Sequence, residues 1–150
     1  MRKKVLLGAA IVLAVLLVGF GFSSGMFFDE TLTVRFNSYQ ELGNSDYMSL
    51  GWFPSDFPQN TVEIIETHDI DSNNVWIESF YKGSPGFGER KMEKLNKSEL
   101  PRQFARHFKI RGKHIQYFGI SEYEYLAIDE RLRKLYYHRD GVLKSNLEMN

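Results

Sequence analysis

The residues of this chain that could take part in chemistry are concentrated in one short stretch, His68 and the residues that follow it. Asp69, Asp71 and Asn73 have the spacing of the first three oxygen ligands of a calcium-binding loop. Such a loop also needs a glycine at its sixth position and a glutamate at its twelfth, where this sequence has asparagine and phenylalanine. Aspartate and asparagine are also the residues that tight turns select for their backbone conformation. The stretch is therefore predicted to be a turn, with a cation site as the alternative.

His68 beside Asp69 and Asp71 is the one local cluster that could serve as an acid–base group. Histidine changes its charge near neutral pH, and neighbouring carboxylates can shift that titration. A hydrolase built on these three side chains would require them to converge in a pocket. Without cysteine, any zinc site would need histidine and carboxylate ligands alone, and no compact ligand pair is present. We predict no metal, no cofactor and no enzymatic activity, with this hydrolase as the alternative.

A stiff aromatic segment lies upstream of the turn. It contains two prolines four residues apart, which exclude a regular helix or strand because proline fixes φ and cannot donate a backbone hydrogen bond. Segments of this kind can cover a hydrophobic core, and they can also contact a partner. Both interpretations, core lid and partner contact, are open for Trp52, Phe53, Pro54, Phe57 and Pro58.

Charge is segregated along residues 29–150. Residues 29–81 carry ten acidic side chains and one base, whereas residues 82–113 carry ten bases and three acids. The two segments either neutralise each other within the fold or leave a basic face for lipid headgroups or an acidic protein. Nucleic acid is not expected, because the domain as a whole is acidic. The candidate contacts are Arg90, Lys91, Lys94, Arg102 and Arg106, and Lys97, Lys109, Arg111 and Lys113 complete the basic face.

The elements that position these residues follow from hydrophobic alternation and from turn residues. Residues 37–50 are predicted to hold one or two helical turns, Pro101–Phe108 a short helix, and Lys82–Glu89 a glycine-rich loop. The last three predicted strands are joined by short connections, which indicates an antiparallel meander. The fold class is α+β, with antiparallel sheet dominating. The predicted strands are Thr31–Phe36, Thr61–Thr67, Asn74–Tyr81, Lys113–Phe118, Glu122–Ile128 and Arg131–His138.

The N-terminus carries a location signal. Three cations precede an uncharged apolar run, residues 5–22, which would span about 27 Å as a helix, close to the thickness of a bilayer core. The cations favour a cytoplasmic N-terminus. Residues 1–28 are therefore predicted to be a transmembrane signal-anchor in the inner membrane of a bacterium, with residues 29–150 as one extracytoplasmic domain. The alternative is a cleaved signal, with cleavage near Gly25 and a secreted or periplasmic domain.

Two stretches resemble a group of small uncharacterised bacterial proteins. Residues 51–58 are similar to their W-x-P-x-x-x-P segment, and the turn that begins at His68 is similar to their D-T-N-like turn. Residues 126–138 resemble their tyrosine-rich closing hairpin. The resemblance implies an exported or membrane-anchored α+β domain, and it brings no catalytic residues with it.

These observations favour a domain that binds a partner rather than one that catalyses a reaction. The leading prediction is a single-pass envelope protein that acts as a binding or accessory module, and an immunity-like cap on an envelope partner is one specific version. A domain that packs mainly against lipid is a further alternative, and it would need the basic face to meet the membrane.

Overall fold

The computed structural model describes residues 31–87 and 90–141. It contains two short helices, α1 (Tyr39–Gly43) and α2 (Arg102–Phe108), and a 3-10 turn at Lys97–Glu99. The strands are β1 (Thr31–Ser38), β2 (Thr61–Asp69), β3 (Val75–Tyr81), β4 (Glu93–Leu95), β5 (Ile115–Gly119), β6 (Glu124–Asp129) and β7 (Lys134–Arg139). They form one seven-stranded antiparallel sheet in the order β1-β2-β3-β7-β6-β5-β4.

The predicted antiparallel sheet and its C-terminal meander, β5-β6-β7, are confirmed. Helix is scarce in the described residues, so the domain is mainly β. The sequence does not predict β4, because three residues are too few for alternation to mark a strand. β1 and β2 are longer than predicted, since their pairing extends from Thr31 opposite Asp69 to Ser38 opposite Val62.

The sheet is covered on both faces. We call the first the lid face: here α1, the irregular residues 44–60, Phe87 and Met92 pack over a core that includes Ile64, Ile77 and Tyr137. On the opposite face, the helix face, α2 packs Phe104 and Phe108 against β5, β6 and β7. Along β5, β6 and β7, alternation therefore sends successive side chains into two different cores.

A β-bulge interrupts the pairing of β2 with β3 between Val62 and Ile65. Glu63 lies in the bulge with a φ of 50°, a left-handed conformation that accommodates the extra residue. Beyond the bulge, the even-numbered residues of β2 point to the lid face. The bulge thus sets which residues, including Glu66 and His68, enter the lid-face core.

Helix α2 begins at Arg102, one residue later than predicted, because Pro101 keeps an extended ψ of 141°. Leu100, Phe104 and Phe108 share its inner side, as their spacing predicts, and Phe104 is fully buried. Lys109 ends the helix in the left-handed conformation, with a φ of 49°. This arrangement turns Arg102, Arg106 and Lys109 outward.

The predicted signal-anchor, residues 1–28, lies outside the described residues. Among the helices of the described ranges, none has the length and apolar character needed to cross a bilayer.

Candidate functional site

The aromatic segment 52–58 covers the lid face. Phe53, Pro54, Phe57 and Pro58 are buried, and Phe53 meets Phe57 edge to face with ring centroids 5.2 Å apart. Of the five candidate contacts in this segment, Trp52 alone is half-exposed. Of the two interpretations, the core lid describes these four side chains. Phe53 and Phe57 pack in the lid-face core, and partner contact through this segment stays a prediction.

Beneath this lid lies a buried carboxylate–imidazole pair. Glu66 and His68 are two residues apart on β2 and therefore point to the same face. Nδ1 of His68 lies 2.9 and 3.0 Å from the two carboxylate oxygens of Glu66. The Trp52 indole stacks on the His68 ring, with centroids 3.8 Å apart and planes 15° apart. Only 3% of the His68 side chain is exposed.

The environment of this pair shifts the titration of its carboxyl group. Burial raises the pKa of Glu66 to about 7, and the hydrogen bond and charge of His68 act against that rise. The carboxyl also orients the imidazole through Nδ1, as the carboxylate of an acid–base pair does. However, the ring lies under Trp52 and inside the core. In this conformation the pair is a titratable packing element rather than a group open to a substrate.

The structure does not assemble the predicted cluster of His68 with Asp69 and Asp71. Asp69 Oδ1 instead accepts hydrogen bonds from the backbone N–H groups of Asp71 and Ser72, both at 3.0 Å. These bonds lower the pKa of Asp69. Asp71 is exposed, and strand alternation directs Asp69 away from the face that His68 enters. The turn interpretation therefore describes these residues, and the hydrolase lacks its convergent side chains.

The partner of His68 that the sequence interpretation missed is Glu66. The signal was present, because a glutamate two residues before a histidine in a strand shares its face. Within the described ranges, no three or more histidine or carboxylate side chains are grouped to hold a metal ion.

A shallow groove of about 290 Å³ opens beside Trp52. Arg139 is the one cationic residue in its lining. The guanidinium group already has a partner, because its Nη1 donates a hydrogen bond to the carbonyl oxygen of Gly51 at 2.8 Å. The groove is lined by Leu50, Gly51, Trp52, Asn73, Arg139, Asp140 and Gly141.

On the helix face, α2 is held by a polar contact with the end of β7. His138 Nδ1 lies 2.9 Å from the carbonyl oxygen of Val75, which fixes the proton on Nδ1. Gln103 Nε2 lies 3.2 Å from His138 Nε2 and donates to Asp140 Oδ2 at 2.8 Å. Burial lowers the pKa of His138. One amide thus ties the helix to His138 in β7 and to Asp140 just beyond the strand.

The basic stretch divides into one paired cation and a larger unpaired set. Arg90 is only partly exposed, its Nη1 bonds Glu124 at 2.9 Å, and its Nε makes a charge contact with Asp56 at 2.8 Å. Arg90 therefore links the lid to β6, and its role as a partner contact stays a prediction. We call the remaining cations the basic surface: Lys91, Lys94, Lys97, Arg102, Arg106, Lys109, Arg111 and Lys113.

All eight side chains of the basic surface are exposed. Throughout residues 31–87 and 90–141, none of them forms an ion pair with a carboxylate. Neutralisation between the acidic and basic segments is thus limited to the contact of Arg90 with Asp56 in this part of the chain. Arg102 and Arg106, four residues apart on α2, form one outward stripe with Lys109.

Comparison with known proteins gives one local similarity. A family model of the YbbD head domain matches residues 30–80, about a third of the chain. The match spans β1 to β3, the aromatic lid and the Glu66–His68 pair, and it ends before the basic surface. A search of curated proteins and a search of solved structures each returned no match.

Proposed function

We propose that this chain is an anchored bacterial envelope protein whose extracytoplasmic domain binds an acidic protein partner through the basic surface. The observation that carries the proposal is the set of eight exposed cations without carboxylate partners in the described residues. Eight cations within residues 91–113 repel one another, and no ion pair in the described residues offsets that repulsion. An acidic partner would relieve that repulsion and gain attraction.

The placement of exposed apolar side chains favours a protein over a lipid surface. Interfacial lipid binding combines cations with apolar side chains that insert between headgroups. No large apolar side chain of the basic surface segment, among its described residues, is exposed in this way. The large exposed ones are elsewhere in the described chain: Leu32, Leu50, Ile70 and Leu132.

Binding is also favoured over catalysis by the state of the titratable groups. His68 is covered by Trp52, and the Asp69 carboxylate is occupied by turn amides. The apolar run at residues 5–22 supplies the anchor in this proposal, with the N-terminus cytoplasmic and the mainly β domain outside the inner membrane.

The test compares cross-linking of two charge-reversed variants of the full-length tagged protein in cells. Arg102→Glu/Arg106→Glu reverses two charges of the basic surface. Arg131→Glu/Arg133→Glu reverses two exposed charges on the β6–β7 turn and serves as the matched control. Each sample is cross-linked, purified through the tag and examined by mass spectrometry.

We expect the unchanged protein and the control to capture one acidic protein in stoichiometric amounts. The Arg102/Arg106 variant should capture at least tenfold less of that protein. Equal capture by all three would contradict the basic surface as the contact. Capture of lipid alone would contradict a protein partner and support the lipid alternative.

A further inference from the structure

The edge of the sheet at Leu32–Phe36 of β1 has no further strand beside it among the described residues. β1 lies at one end of the strand order, and the described residues offer no hydrogen-bond partner to the backbone of Leu32–Phe36 other than β2. The opposite edge strand, β4, has only three residues and carries Lys94. β1 has eight residues, pairs with β2 without a bulge, and carries one charge, Arg35. Natural edge strands are normally shortened, charged or bulged to prevent pairing; β1 is neither short nor bulged, and Arg35 is its one charged residue.

The hydrogen-bonding direction of β1 can be read from its C-terminal end. The backbone N–H of Asn37 donates to Glu41 Oε2 at 2.7 Å, and so it points away from β2. Backbone groups alternate between the two sides of a strand. Thr33 and Arg35 therefore direct their N–H and C=O groups outward, whereas Leu32, Val34 and Phe36 direct theirs to β2. Glu41 closes the edge beyond that point.

We propose that β1 pairs with β1 of a second copy of this chain, antiparallel about a twofold axis at Val34. In this register, Thr33 of each copy lies opposite Arg35 of the other. Both residues point outward, so each pair exchanges two backbone hydrogen bonds. Val34 faces its own counterpart as a non-hydrogen-bonded pair.

The side chains of β1 fit this antiparallel pairing with β1 of a second copy. Leu32, Val34 and Phe36 point to the lid face, and the twofold axis places Leu32 opposite Phe36 of the second copy. Leu32, which is 48% exposed, thereby gains an apolar neighbour. A register centred on Arg35 would instead place two guanidinium groups opposite each other. One segment thus supplies both halves of a self-complementary contact, as an isologous dimer requires.

The test uses single cysteines in the full-length protein, which has none of its own. Val34→Cys places two thiols across a pair whose Cα atoms are about 4.5 Å apart, within disulfide range. Leu32→Cys is the matched control: residue 32 is more exposed but would lie about 14 Å from its counterpart. Membranes from expressing cells are treated with copper phenanthroline, and disulfide dimers are followed over time on non-reducing gels.

We expect dimers of Val34→Cys to form at least tenfold faster than those of Leu32→Cys. Equal rates, or a faster reaction at residue 32, would overturn the pairing. A second variant, Val34→Cys/Arg35→Pro, removes one outward N–H, which an edge strand tolerates, and its folding is checked by urea unfolding. The folded proline variant should lose the rapid cross-link, and an unchanged rate would overturn the proposal. Because none of these residues belongs to the basic surface, failure here leaves the proposed function standing.

Discussion

At the scale of single residues, the buried carboxyl group of Glu66 gives the stability of the domain a defined pH dependence. Glu66 has an ordinary pKa of 4.5 and a pKa of about 7 in the folded protein. The folded state thus holds this proton more tightly than the unfolded state. The resulting stabilisation is fully present below pH 4.5 and is lost as the pH rises through 7.

The substitution Glu66→Gln should remove this dependence. Between pH 4.5 and 7.5, we expect the unfolding free energy of the unchanged protein to fall by roughly 3 kcal/mol relative to the variant. The lowered pKa of His138 acts in the opposite direction, since its contribution is lost as the pH falls, but it is common to both proteins. Urea unfolding followed by tryptophan fluorescence at several pH values measures the difference. Parallel pH curves for the two proteins would show that Glu66 titrates normally.

The Trp52 side chain is the second test at this scale. Its indole stacks on His68 but remains partly exposed, so Trp52→Ala should lower the unfolding free energy by about 2–3 kcal/mol, below the cost of a fully buried tryptophan. Leu50→Ala, two residues away and 65% exposed, is the control and should change it little. A Trp52→Ala variant as stable as the control would mean that the indole does not contribute to the lid. Chemical denaturation of both variants provides the comparison.

Strand periodicity predicts the part of this site that lies on β2, but it cannot predict the contact with the irregular aromatic segment. Two-residue periodicity is enough to place Glu66 and His68 on one face of a strand. The contact of His68 with Trp52 joins β2 to an irregular segment, where no periodicity specifies which way a side chain points. Likewise, the capping box of Asn96 and Glu99 depends on residues three apart, so the local sequence is enough to indicate it. The pairing of Arg90 with Glu124 joins distant parts of the chain, and the local sequence does not indicate it.

At the scale of elements, the end of β7 docks against the β2–β3 turn through a glycine. The backbone N–H of Gly141 donates to Asn74 Oδ1 at 3.0 Å. A Cβ atom at Gly141 would lie 1.6 Å from the carbonyl oxygen of Ser72, a distance that the two backbones cannot accommodate without moving apart.

Gly141→Ala should therefore lower the unfolding free energy by roughly 1–3 kcal/mol. Gly86→Ala is the matched control, because a Cβ there meets no atom within 4 Å. Thermal unfolding of both variants tests the contact. If the Gly141 variant melts together with the control, the strand end does not pack on the turn as described.

Element prediction succeeded where alternation runs over five residues or more, as in β1, β3 and β5 to β7. It failed for β4, whose three residues depend on their neighbour β5 for their conformation. The bulge in β2 was also unreadable, because it arises from the competing registers of β1 and β3. The helix face shows the same limit: the spacing of apolar residues predicts α2, but not that Gln103 fastens it to His138 and Asp140.

At the scale of the whole molecule, the cations of the basic surface, which are grouped along the sequence, stay exposed and without ion pairs in the described part of the folded domain. The sequence left two outcomes open, internal neutralisation and a free basic face. Most of the basic residues project outward from α2 and from the segments that flank it, because the inner positions are taken by Leu100, Phe104 and Ile110. The sequence could not decide between these outcomes, since that depends on which elements become neighbours.

The most direct test of the account is photo-cross-linking from a single position of the basic surface. A photoreactive residue is introduced in place of Arg106 in the full-length protein, and in place of Arg131 as an equally exposed control, and cells are irradiated. The account predicts an adduct with one acidic protein from position 106 and none from position 131. No protein adduct at position 106, or the same adducts from both positions, would contradict the basic surface as the binding site.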